Sequence, residues 1–223
     1  MDRTADALSR AGKMREIIMV GVESSPGRYA ELCGRHHLPD TSTNTAFENY
    51  SALLLTEVKP YIDRSYRTLP DTSNTAVMGS SMGGIASLIL AWEHPEVFGG
   101  AASLSGAFQV EHTNFLNHVL KEYAGPPKPF RVYLDSGAVD FTGGDDGCSL
   151  TRQVATELRR LNPGHDFELF TDAKPLILAD LEKAGLRRDK WSEAQTSQHN
   201  EFYWRLRAWR ALTFLFPPDN LKK

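Results

Sequence analysis

The sequence predicts an α/β fold built on a mostly parallel sheet, and three observations carry that expectation. Short apolar runs alternate along the chain with longer helical ones, as strands and their crossover helices do. Gly79-Ser80-Ser81-Met82-Gly83 spells G-x-S-x-G between an apolar strand and a helix, the pattern of a nucleophile elbow. The 223 residues, of which 41% are hydrophobic, suffice for one α/β domain over 1–223 with a large core. Neither an internal repeat nor a Pro/Gly linker divides them.

Thr4 to Lys13 reads as a helix and Arg15 to Val22 as a buried strand. Ser25-Pro26-Gly27 turns the chain into a loop from Arg28 to Asn44. Ala46 to Tyr61 reads as a helix with Phe47, Tyr50, Leu53, Leu54 and Val58 on its inner side. Asn74 to Met78 is a short buried strand, and Gly84 to Trp92 is apolar all round, as a buried helix should be. Phe98 to Ser105 is a strand of small residues, and Thr113 to Tyr123 a helix that Pro126, Pro127 and Pro129 stop. Arg131 to Asp140 is a strand that ends in a turn, Ser149 to Leu161 a helix, Phe167 to Phe170 the last strand and Glu201 to Trp209 an amphipathic helix. The stretch 172–198, with a helical run from Pro175 to Ala184, reads as a lid or an insertion. Trp191 within it either lines a pocket or packs this excursion onto the body. Strands and helices alternating at this spacing predict right-handed crossovers.

The elbow makes Ser81 the candidate nucleophile. Its sharp turn favours glycine where a side chain would strike backbone, which is expected at both Gly79 and Gly83. A helix starting at Met82 aims its N–H groups and its positive end at an oxyanion forming on Ser81, so the Met82 N–H is the candidate oxyanion-hole donor. A serine hydroxyl needs a base to take its proton. His199 lies after the last strand and before the final helix, where the order Ser, then acid, then His puts that base. His36, His37, His94, His112, His118 and His165 read as surface or structural. For the acid, the run Arg131 to Asp140 is a strand ending in a G-x-x-D turn, which selects Asp140 at the carboxyl edge of the sheet. Asp135, Asp145, Asp146 and Asp172 are the other contenders, read as strand, turn or cap residues.

Asp63-Arg64-Ser65-Tyr66-Arg67-Thr68, Met78 to Gly84, His94-Pro95-Glu96-Val97-Phe98 and His199-Asn200-Glu201 together resemble the esterase D-type esterases of the α/β-hydrolase superfamily. That group includes enterochelin-type, feruloyl and S-formylglutathione esterases and the antigen 85 acyltransferases. The resemblance runs from about Glu16 to Phe216. It implies an α/β-hydrolase fold, with Ser81 as nucleophile, His199 as base and Asp140 as acid. Members of the family usually carry further strands before the one at Ile17 to Val22, one of them ending in a loop that gives a second oxyanion donor. Here almost no residues remain to make them, so the expectation is either a hole completed otherwise, with the Glu23-Ser24-Ser25 loop as candidate, or a shortened version of a longer protein. An interior strand missing would leave a sheet edge exposed, which favours a homodimer.

The resulting expectation is a serine ester hydrolase acting on small or short-chain esters through an acyl-enzyme. An acyltransferase of the same fold would use the same three residues with an alcohol in place of water. A catalytically silent binding protein of this fold is the alternative from another class. No metal or organic cofactor is implied, and His36-His37 without a third ligand is a poor metal signature. A net charge of −3 gives no reason to expect nucleic acid or an anionic membrane as partner. Cys33 and Cys148 are too few for a disulfide framework. The polar N-terminus lacks an apolar h-region, so the expected location is cytoplasmic. No apolar run approaches the roughly 20 residues of a membrane helix.

Overall fold

Alternation along each strand decides which helix layer covers which face of the sheet. The computed structural model describes residues 1–34, 45–140, 142–171 and 197–218. Four parallel strands pair in the order β1 (Ala76–Ser80), β2 (Gly100–Leu104), β3 (Arg131–Ser136) and β4 (Phe167–Thr171). On one face, Ala101, Val132 and Leu134 meet Ile85 and Leu88 of α5 (Met82–Glu93) and Val154 and Leu158 of α7 (Cys148–Leu161). On the other, Ala102, Leu104 and Tyr133 meet Ala208, Ala211 and Leu215 of the C-terminal helix α8 (Glu201–Leu215). The period of two in β3 thus turns Tyr133 and Asp135 toward α8, which matters for the site.

The small residues of β2 let helices close on both faces. Ala101 and Ala102 are fully buried, and a Cβ on Gly100 would lie 2.8 Å from Leu215 Cδ2. α1 (Asp2–Arg10) packs through Ala5 beside Met14 and Leu212 of α8. α2 (Arg28–Leu32) occupies part of the stretch expected to be loop. The expected helix around Ala46 to Tyr61 is α3 (Thr45–Ala52), a π-helical turn (Leu53–Val58) and α4 (Lys59–Ser65). The wide turn ends where Pro60 enters with no N–H to donate. Phe47 and Leu54 face the core as expected, whereas Leu53 is exposed. α6 (Val110–Asn114) likewise runs into a π-helical turn (Phe115–Leu120).

Arg15 to Val22 departs from expectation. It takes no regular secondary structure and joins no strand of the sheet, and Ile18 and Val20 are each nearly half exposed. Among the described residues no strand precedes Ala76, so β1 is an edge. A cavity of about 910 Å³ counts Ile17, Ile18 and Val20 of this segment and Ala76, Val77 and Met78 of β1 among its lining residues. Most of the stretch 172–198, with Trp191, lies outside the described residues, as do His36 and His37. No described helix is long and apolar enough to cross a membrane.

Candidate active site

The register of the sheet brings three chain ends together. Ser80, Leu104 and Asp135 are neighbours across β1, β2 and β3, so the loops after these strands leave from one edge. Ser81 follows β1 with φ 52° and ψ −121°, outside the regions that non-glycine residues prefer, and caps α5. Its N–H donates to Leu104 O at 3.0 Å, and its own carbonyl accepts from Ala107 N–H at 3.0 Å. The strained elbow is therefore held by the loop after β2.

Crowding at the elbow falls on Gly79 and Gly84. A Cβ on Gly79 would lie 2.3 Å from Gly83 O, and one on Gly84 would lie 2.7 Å from Ser103 Oγ. Gly83 corrects the expectation of a collision, since a Cβ there meets open space. Met82 is the first residue of α5, so its N–H is among the first-turn amides that have no carbonyl within the helix to pair with. The Glu23-Ser24-Ser25 loop is committed elsewhere at Ser25, whose N–H and hydroxyl bond Glu31 at 3.1 and 2.5 Å.

His199 stands between a hydroxyl and a carboxylate. Its Nε2 lies 2.8 Å from Ser81 Oγ and its Nδ1 2.6 Å from Asp146 Oδ1. A carboxylate only accepts, so Nδ1 carries the hydrogen and Nε2 is left to accept from the serine. Gln198 fixes the approach: its N–H donates to Val139 O at 2.6 Å, and its side-chain oxygen accepts from Ala138 N–H. Asn200 caps α8 by accepting from Tyr203 N–H at 3.2 Å. Trp204 sets its ring edge-on to the imidazole, the centroids 5.0 Å apart.

The acid in contact with His199 is Asp146, which corrects the expectation that Asp140 would fill that place. Asp140 Oδ1 accepts instead from Thr142 N–H at 2.7 Å, Thr142 Oγ1 at 2.7 Å and Gly144 N–H at 2.8 Å. Burial pushes the Asp140 carboxyl up. Bonds from Thr142 and Gly144 and the charge of nearby His199 outweigh it, and the net shift is downward. Asp140 thus closes the turn at 140–144, and the chain leaving it delivers Asp146. The Asp146 side chain is wholly buried, and its Oδ2 accepts from Gly137 N–H and, at 2.6 Å, from Ser105 Oγ.

Sequence reasoning also passed over Ser105 and Arg207. Arg207 Nη2 donates to Ser105 Oγ at 2.6 Å and lies 3.2 Å from Asp135 Oδ1, which Ser105 N–H also approaches at 3.3 Å. Tyr133 donates its hydroxyl to Asp135 Oδ2 at 3.1 Å. Burial, then the adjacent Asp135 carboxylate, holds the Tyr133 phenol far above its ordinary range. A signal did exist: an aspartate late in a strand and an arginine on the apolar face of the final amphipathic helix are expensive to bury unless they meet. Among the described residues no cluster of three or more His, Cys, Asp or Glu is placed to hold a metal.

The enterobactin esterase of Shigella flexneri superposes with a TM-score of 0.66 at 16% identity, over 94% of this chain and 46% of that one. A ferulic acid esterase gives 0.60 at 16% identity, over 96% and 76%. An IroE-like serine hydrolase of Shewanella oneidensis gives 0.57 at 16% identity, over 78% and 60%. The chain therefore spans less than half the length of the enterobactin esterase. At such identities the likeness is one of fold, that of α/β-hydrolase-type esterases. Among curated proteins, the uncharacterized protein YbbA of Bacillus subtilis is 19% identical over 186 residues, 80% of this chain and 70% of that one. The family model described as "Putative esterase" matches residues 1–212, nearly the whole chain, and the chain therefore belongs to that family.

Proposed function

We propose that this chain hydrolyses small carboxylic esters by acyl transfer through Ser81. The single observation that carries this reading is the bridge formed by His199, 2.8 Å from Ser81 Oγ and 2.6 Å from Asp146 Oδ1. Family membership supports the reaction class. Ser81 attacks the ester carbonyl while His199 Nε2 takes its proton, and Asp146 holds Nδ1 and stabilises the imidazolium. The oxyanion forms at the N-terminus of α5, where the Met82 N–H donates. The imidazolium gives its proton to the departing alcohol oxygen. Water then attacks the acyl-serine with His199 again as base, releasing the acid and restoring the Ser81 hydroxyl.

Hydrolysis of p-nitrophenyl acetate, butyrate and octanoate at pH 8 by the chain and by its Ser81→Ala variant tests this. The expected result is turnover that the substitution abolishes, highest on the two shorter esters. Equal rates from the two proteins, together with no labelling of Ser81 by a fluorophosphonate, would sink the reading.

A further inference from the structure

Ser105 and Arg207 take no part in the reaction just described, yet both are buried, at 1% and 3% exposure, and both attach to the acid end of the site. Chemistry fixes the direction of the bonds between them. A guanidinium can only donate, so Ser105 Oγ is the acceptor of the 2.6 Å contact from Arg207. The one hydroxyl hydrogen of Ser105 is then left to point at Asp146 Oδ2, 2.6 Å away. Gly137 N–H supplies a second donor to that oxygen. With Oδ2 held twice, the carboxylate plane is set and Oδ1 is presented to His199.

Charge explains why a serine stands between the arginine and the acid. Arg207 has its ionic partner in Asp135, 3.2 Å away and wholly buried. An arginine paired directly with Asp146 would satisfy the negative charge that the imidazolium needs when it forms. A hydroxyl aligned by that arginine orients the carboxylate and leaves the charge in place. The backbone of Ser105 supports the same conclusion. Its φ of 44° lies in the left-handed region, and its N–H donates to Asp135 O at 2.9 Å. The loop that keeps Ser105 there is the one that grips the Ser81 main chain from Leu104 and Ala107, so one turn references nucleophile and acid to each other.

We propose that Ser105, aligned by Arg207, is a positioning residue that locks Asp146 against His199. The proposal rests on the Ser-His-Asp reading above. Ser105→Gly tests it, because glycine adopts positive φ freely and the substitution removes the hydroxyl without adding backbone strain. The expected result is a kcat on p-nitrophenyl butyrate lower by about tenfold or more, a smaller loss than the roughly 10⁴-fold of a triad whose acid no longer orients its histidine. KM stays within about twofold. Fluorophosphonate labelling of Ser81 slows by the same factor as kcat. Losing a buried hydroxyl bonded on both sides lowers the thermal midpoint in either case, so kcat is taken per folded molecule: a purely structural role predicts a lower midpoint with that kcat unchanged, and that outcome overturns the proposal. Should Ser105→Gly not fold, Arg207→Lys keeps a cation beside Asp135 but loses the fork that reaches Ser105, and a wild-type kcat in that variant overturns the proposal equally. Either result leaves Ser81-dependent hydrolysis standing. A wild-type protein with neither hydrolysis nor labelling removes both readings together.

Discussion

Asp145 and Asp146 are adjacent, yet the chain spends them on opposite tasks. Asp145 Oδ2 accepts from Ser149 N–H at 2.9 Å in the first turn of α7, and Asp146, at φ 52° before Gly147 at φ 68°, turns inward to His199. Asp146→Asn is expected to lower kcat by about 10⁴-fold, the loss seen when a triad acid can no longer fix the histidine tautomer. Asp140→Asn keeps an oxygen for Thr142 and Gly144, so it should leave kcat within the same order of magnitude. Parallel hydrolysis assays of the two variants decide which aspartate is the acid. A second residue gives a pH dependence. Burial, with Glu111 adding its charge, pushes the Cys33 thiol from 9.0 up to about 12. Above pH 9 the unfolded chain ionises this thiol while the folded chain keeps the proton, so stability falls as pH rises toward about 12. Urea midpoints of wild type and Cys33→Ala at pH 8 and about pH 10 check the sign, because the wild type should lose more than the variant.

At the level of elements, the elbow shows which glycines the turn requires. Gly79→Ala would place a methyl 2.3 Å from Gly83 O and 2.4 Å from Gly83 C, both main-chain atoms that cannot swing aside. Its expected cost exceeds about 4 kcal/mol, or no folded protein is recovered. Gly83→Ala enters open space in the first turn of α5, where alanine is favoured by up to about 1 kcal/mol. Urea unfolding of the two variants should separate them clearly. The strand, elbow and buried helix are legible in the sequence because each is written in consecutive residues, and His199 is legible because chain order constrains it. Asp146 is not legible in this way. Its selection depends on two successive left-handed residues and on donors from Gly137 and Ser105, which the chain brings together only through β2 and β3. A carboxylate such as Asp140, well spaced after its strand, carries the same local signature and uses it to close a turn.

Across the whole molecule, the same limit of local pattern appears at Arg15 to Val22. Its run of Ile17, Ile18, Met19, Val20 and Val22 carries strand propensity, while pairing is a property of what lies alongside, and no strand forms there. What lies alongside is the cavity of about 910 Å³, whose lining also includes residues of the edge strand β1. At its start the segment is tied by Arg15 N–H donating to Phe216 O at 3.1 Å. Amide hydrogen exchange should therefore divide the molecule. The amides of β2 and β3, paired on both sides and buried, should open only with global unfolding, and those from Glu16 to Val22 should exchange orders of magnitude faster. Protection in Glu16 to Val22 equal to that of β2 would contradict the open edge. If that protection, together with that of Ala76 to Ser80, rose with protein concentration, both edges would be covered by a second chain. The exposed strand would then act as the dimer seam that its apolar sequence suits.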